Sequence, residues 1–309
     1  MKQYTTIKKL FLSVAVATLT LAYADSNITI NNITQNPEGI EYDKTDHTFL
    51  LSSLNASPII KVKYDGTYKA FTSGDKFPLS TAGLQIDYKH NRLLVAGFNG
   101  MELWDNDPKT KGTSFLKIYN LKTGVIEKSV NLSSLVPTAS AYFANDIAVD
   151  DDGNAYITDW YANVVYKVDL LGKATLFWEN KTDIKGTPNG LGFKDGSIFV
   201  SLIKVNDKWL YTDYGLVKID INNPKSTTVI KMNNSGFAGF DGMVIKENGN
   251  IVGVTNNQKT AGGNSLIELS SDDNWTSAKV IHTKDIKPST TIAITQNNEN
   301  YVIHQDFSN

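Results

Sequence analysis

Glu38, Asn145, Asn189 and Asp241 each open a short segment of one design: Glu38-Gly-Ile-Glu-Tyr-Asp, Asn145-Asp-Ile-Ala-Val-Asp, Asn189-Gly-Leu-Gly-Phe-Lys and Asp241-Gly-Met-Val-Ile-Lys. Two carboxylates and two carboxamides are hard oxygen donors that suit Ca²⁺. A Zn²⁺ set would want imidazole or thiolate, and the chain has no Cys and four His. Asn, Asp and Gly are also ordinary turn residues, so one such position would carry nothing. Four in register lead to the expectation of a metal centre held by Glu38, Asn145, Asn189 and Asp241. The Gly after Glu38, Asn189 and Asp241 is expected to let the backbone turn tightly at each ligand.

The elements that position these residues follow from repetition. Ala82-Gly-Leu-Gln-Ile-Asp and Thr290-Thr-Ile-Ala-Ile-Thr restate the same motif, so six copies recur at intervals of roughly 45 to 65 residues. The third residue is always apolar (Ile40, Leu84, Ile147, Leu191, Met243, Ile292), and so is the fifth (Tyr42, Ile86, Val149, Phe193, Ile245, Ile294). Period two marks a buried strand. A tight turn and a second apolar strand follow each copy, and outer strands flank turns such as Asp65-Gly66 and Leu171-Gly172. Units of this length built of strands predict an all-β, six-bladed β-propeller. The sixth blade is incomplete, with only two strands before Asn309, and Ile28 and Ile30 are expected to supply a strand that closes the ring.

In a four-stranded blade the first motif residue sits on the face that carries the long connections, here 99–113, 133–144, 181–188, 205–214 and 256–263. Sites are built on such loops. Trp104, Tyr142, Trp209 and Tyr211 lie on them, Trp160 lies on a short connection of the same face, and all five are candidates for a pocket wall. Asn145, Thr290 and Trp160 are the expected substrate-binding residues. Reading round the axis, Glu38, Ala82, Asn145, Asn189, Asp241 and Thr290 converge on the central channel. His304 ends the second strand of the last unit and is a candidate auxiliary acid or base.

At these residues the chain resembles the SMP-30/gluconolactonase/LRE-like family of six-bladed propellers, with the paraoxonases and diisopropylfluorophosphatase as more distant relatives. Pro37-Glu38-Gly39, Asn145-Asp146, Pro188-Asn-Gly-Leu191 and Asp241-Gly-Met243 look like the family's four ligand motifs in order. The resemblance implies direct metal ligation by Glu38, Asn189 and Asp241. Asn145 would bind directly or through water or substrate, and Asp241 would also serve as catalytic base or nucleophile. It further implies cleavage of lactones or related esters and tolerance of Mg²⁺, Mn²⁺ or Zn²⁺ in place of Ca²⁺. No basic residue that would hold a polar sugar substrate can be placed. A rival reading keeps Ca²⁺ as a structural plug in a propeller that binds a ligand or partner without turnover.

Lys2, Lys8 and Lys9 precede an apolar run from residue 10 to 23 and the small-x-small Ala22-Tyr23-Ala24, which reads as a secretory signal peptide over 1–24. The remaining 25–309 reads as one propeller domain, secreted or periplasmic and monomeric, with no membrane span. Loss of the three lysines takes the formal charge from −2 to about −5. A mildly acidic chain with no basic stripe is a poor nucleic-acid binder. Without disulfides, an exported chain must rely on its core or on bound ions. Asp150-Asp-Asp-Gly153 lacks EF-hand spacing and reads as a tight turn. There is no nucleophile elbow, no phosphate loop and no His-Glu-x-x-His.

Overall fold

The computed structural model describes residues 27–31, 36–55, 58–76, 79–99, 112–206, 210–256 and 263–304. The expected signal peptide, Trp104 and Trp209 lie outside them.

Alternating apolar residues, cut by short Gly- and Asn-containing turns, fold as consecutive antiparallel meanders. Blade one is β1 (Ile40–Asp43), β2 (Thr48–Leu51), β3 (Ile60–Val62) and β4 (Tyr68–Ala70). Blade two is β5 (Ser80–Asp87), β6 (Arg92–Asn99), β7 (Thr113–Asn120) and β8 (Ile126–Asn131). Blade three is β9 (Ala144–Val149), β10 (Ala155–Asp159), β11 (Val164–Val168) and β12 (Ala174–Glu179). Blade four is β13 (Thr187–Lys194), β14 (Ser197–Val205), β15 (Tyr211–Asp220) and β16 (Asn223–Val229). Blade five begins with a two-residue outer strand, β17 (Lys231–Met232), parallel to its last strand. It continues with β18 (Met243–Ile245), β19 (Ile251–Asn256), β20 (Asn264–Ser270) and β21 (Ser277–Asp285). A two-stranded sheet follows, β22 (Ser289–Ile294) with β23 (Asn300–His304).

The all-β propeller expectation holds, but the structure shows five blades and a two-stranded sheet where a six-bladed ring with an incomplete last blade was expected. The first strands touch in the order β1, β5, β9, β13, β18, β22 and back to β1, so the two-stranded sheet fills the gap between blades five and one. Ile28 and Ile30 pack on the cluster shared by blade one and this sheet. Residues 27–30 form no assigned strand, and 32–35 lie outside the described residues.

Each blade-to-blade interface is its own apolar cluster. Ile147 and Leu94 meet between blades two and three, Leu191 and Tyr156 between three and four, and Met243 and Phe199 between four and five. The third motif residue is buried in all six copies. The fifth is buried in Tyr42 and Ile86 and half-buried in the other four.

The glycines do something other than turn the chain. Gly39 and Gly190 have ordinary φ, and what they lack is room for a Cβ. A Cβ on Gly39 would lie 2.3 Å from the Ala82 carbonyl oxygen, and one on Gly190 would lie 2.5 Å from that of Asp241. Each glycine lets the first strand of one blade press its backbone against that of the next. The tight-turn expectation is therefore corrected: these residues set the radius of the ring.

Candidate metal centre

The pairing of first and second strands slips where the motif begins. The register shifts between Thr81 and Leu84 in β5, between Pro188 and Leu191 in β13, and between Ser289 and Ile292 in β22. In blade three it shifts opposite Asn145-Asp146, between Ile157 and Asp159. A bulge leaves a residue unpaired and re-aims its side chain. This is how Asn145 and Asn189 turn to the axis from strands whose alternation buries Ile147 and Leu191 between blades. In blades one and five the first residue precedes the strand. Glu38 is anchored through Gly39, whose N–H donates to Ser52 Oγ at 2.7 Å, and the Asp241 N–H donates to the Val254 carbonyl at 2.8 Å.

Three of the four expected ligands form one hydrogen-bonded chain. Asn145 Nδ2 donates to Asn189 Oδ1 at 2.7 Å, and Asn189 Nδ2 donates to Asp241 Oδ1 at 3.0 Å. The Asn256 amide also donates to Asp241. Glu38 is 6 % exposed, and its Oε2 is buried with no hydrogen-bond partner. Its carboxyl is raised well above the ordinary carboxylate range, first by burial and then by the charges of Asp241 and Asp146. Burial pushes Asp241 up to about 7, against the pull of the Asn189 and Asn256 amides. The structure thus brings Glu38, Asn145, Asn189 and Asp241 to one end of the channel.

A buried carboxylate oxygen with no donor is costly unless a cation meets it. The arrangement has the chemistry of a cation site: two acids and two amides whose oxygens can turn to an ion. Among the described residues no three His, Cys, Asp or Glu side chains gather closely enough to form a site by themselves. A site here depends on the amides.

Other expected residues fall less neatly. Thr290 is buried, and its hydroxyl donates to the Glu38 carbonyl at 2.8 Å. It clamps the ring closed and does not present a free group to a substrate. Trp160 is half-buried, and its backbone N–H donates to the Phe143 carbonyl at 2.9 Å. His304 is exposed, with Nδ1 donating to the Pro288 carbonyl at 2.8 Å. Tyr142 is buried, and its hydroxyl donates to Val136. Tyr211 is buried in the field of Asp241, and burial followed by that charge raises its hydroxyl well above the usual range.

Asp146 was missed as a site residue because strict alternation turns it away from Asn145. The irregular pairing relaxes that alternation, and the Asp146 carboxylate accepts the Leu191 N–H at 2.8 Å and the Ile147 N–H at 2.9 Å. It ties β9 to β13 just beyond Asn189. Burial raises it to about 7, the two amides opposing and the Asp241 charge adding.

A cavity of about 1060 Å³ opens at the other mouth of the channel, among the short turns, and none of the four ring residues lines it. The long-loop face carries the ring, while the described residues place the roomy pocket opposite.

No family model matches the chain, and no curated protein matches it. Solved structures do. A calcium-binding protein, regucalcin, from Agrobacterium tumefaciens superposes with a TM-score of 0.60 at 16 % identity, over 92 % of this chain and 86 % of that one. A luciferin-regenerating enzyme gives 0.59 at 15 %, over 89 % and 86 %. A gluconolactonase from Xanthomonas campestris gives 0.58 at 13 %, over 87 % and 83 %. The fold is that of the SMP-30/gluconolactonase/LRE propellers. At these identities the likeness establishes the shared architecture, and function is argued from the residues.

Proposed function

We propose that this chain is an exported, divalent-metal-dependent hydrolase of lactones or related esters, with its ion, Ca²⁺ first, at the ring of Glu38, Asn145, Asn189 and Asp241. The observation that carries the reading is the unpartnered, buried Glu38 Oε2 beside Asp241, in a cage completed by two amides. The neighbours named calcium-binding protein and gluconolactonase support it.

A bound divalent ion would polarise a carbonyl oxygen and lower the pKa of a water. The chain's own part is positional. Asn145 and Asn189 orient Asp241 through the hydrogen-bonded chain, and Asp241 takes a proton from the attacking water. Asn256 holds the Asp241 carboxylate from the other side.

Thermal unfolding of the protein in EDTA and in Ca²⁺, beside Asp241→Ala, tests the site. Saturating ligand at about 100 times its Kd adds roughly 2.7 kcal/mol to the folded state. Calcium is expected to raise the midpoint of the wild type and leave the variant unmoved, and a lactone panel then reads turnover. No response to Ca²⁺, Mg²⁺, Mn²⁺ or Zn²⁺ would overturn the metal site. Stabilisation without turnover of any lactone or ester would make the ion a structural plug.

A further inference from the structure

The 1060 Å³ cavity at the short-turn mouth has the size of a small-molecule site. Two carboxylates line it from blades one and three, Glu41 on β1 and Asp146 on β9, near enough for the Asp146 charge to act on Glu41. Glu41 Oε1 accepts from Gln85 Nε2 at 3.1 Å and from the Ile86 N–H at 3.2 Å. Asp146 is held by two backbone N–H groups. Both acids are therefore fixed in place, and neither has a cationic partner among the ion pairs of the described residues.

The basic side chains on the same wall are committed elsewhere. Lys44 lies over the Tyr88 ring, 4.5 Å from its centroid, and Lys89 donates to the Asp151 carbonyl at 2.7 Å. Lys246 pairs with Glu268 at 2.8 Å, and His90 with Asp87 at 2.8 Å. The cavity thus offers carboxyl acceptors fixed in place, with its own basic groups engaged elsewhere. Among the described residues no third acid or imidazole closes on this pair to form a divalent cage, and the volume far exceeds that of a bare ion.

We infer that this mouth is a second ligand site, distinct from the metal ring, that takes a compact organic cation bearing a primary ammonium. The ammonium reaches the floor between Glu41 and Asp146, and the rest of the molecule lies in the wider vestibule.

Isothermal titration with 1,4-diaminobutane at pH 8.5 tests this. Saturable binding is expected in the wild type and in Asp241→Asn, with none for 1,4-butanediol. In Glu41→Gln the affinity should fall roughly tenfold or more, the loss of one charge-assisted hydrogen bond. Absence of saturable binding, equal binding of the diol, or undiminished binding to Glu41→Gln would overturn the assignment. So would Ca²⁺ binding that depends on Glu41 and excludes the diamine. Should Glu41→Gln fail to fold, a crystal structure of the wild type with the diamine decides. Density within hydrogen-bond reach of Glu41 and Asp146 supports the site, and density elsewhere or none refutes it.

Discussion

Glu38 is the residue at which the metal reading is most exposed to test. Its Oε2 has neither donor nor solvent, so without an ion it is held neutral or is destabilising. Glu38→Gln keeps the shape and removes the charge. In EDTA at pH 8 this variant is expected to unfold at a higher temperature than the wild type, because it removes the cost of holding a carboxyl there, either as an unpaired charge or with a proton the unfolded chain would release. In Ca²⁺ the order should reverse. Calorimetry of both proteins in both buffers checks this, and a Gln variant that is less stable in EDTA would mean the carboxylate already has a partner. The four ring residues were legible in the sequence because oxygen donors recurred at one motif position. Asp146 was not, since nothing in one sequence announces that β9 and β10 slip register beside it.

At the scale of the element, the innermost strands depend on backbone contact. Gly190→Ala would place a Cβ 2.5 Å from the Asp241 carbonyl oxygen, an atom of the neighbouring strand that cannot swing away. The cost is expected to be about 1–3 kcal/mol, or more, as for overpacking elsewhere. Calcium affinity should fall with it, because the shift moves Asn189 against Asp241. Gly196→Ala is the control. That glycine has a φ of +71° and nothing within 4 Å of its would-be Cβ, so the change strains one turn by about 1 kcal/mol and leaves the ring intact. Urea unfolding with a calcium titration separates the two. Equal calcium affinity in both variants would show that the strand spacing does not set the site.

For the whole molecule, the acids along the axis make stability depend on pH in an unusual sense. Asp241 and Asp146, raised to about 7, and Glu41, raised to about 8, hold protons in the folded state that the unfolded chain has already released. Their contribution is complete below the unfolded pKa values near 4 and is lost as pH rises through about 7 to 8. In EDTA the unfolding midpoint should therefore fall between pH 5 and pH 8.5. In Ca²⁺ the part due to Asp241 should disappear, since the ion favours the ionised carboxylate. A metal-free midpoint that rises over this range would contradict the buried acid cluster.

The six-fold apolar motif, the period-two strands and the short turns determined an all-β propeller by themselves, because each first strand must bury the same alternate positions against its neighbouring blade. They also determined which side chains begin the inner strands. Tertiary structure decided the rest. It seated the two-stranded last unit between blades five and one, where β22 meets both β18 and β1. It assigned the glycines to blade spacing and used the Thr290 hydroxyl on the Glu38 carbonyl, 252 residues away. It also put the open cavity at the mouth opposite the ring. Local pattern fixes which faces of a strand are buried, but how closely strands approach across the axis depends on backbones that meet only once the ring has closed.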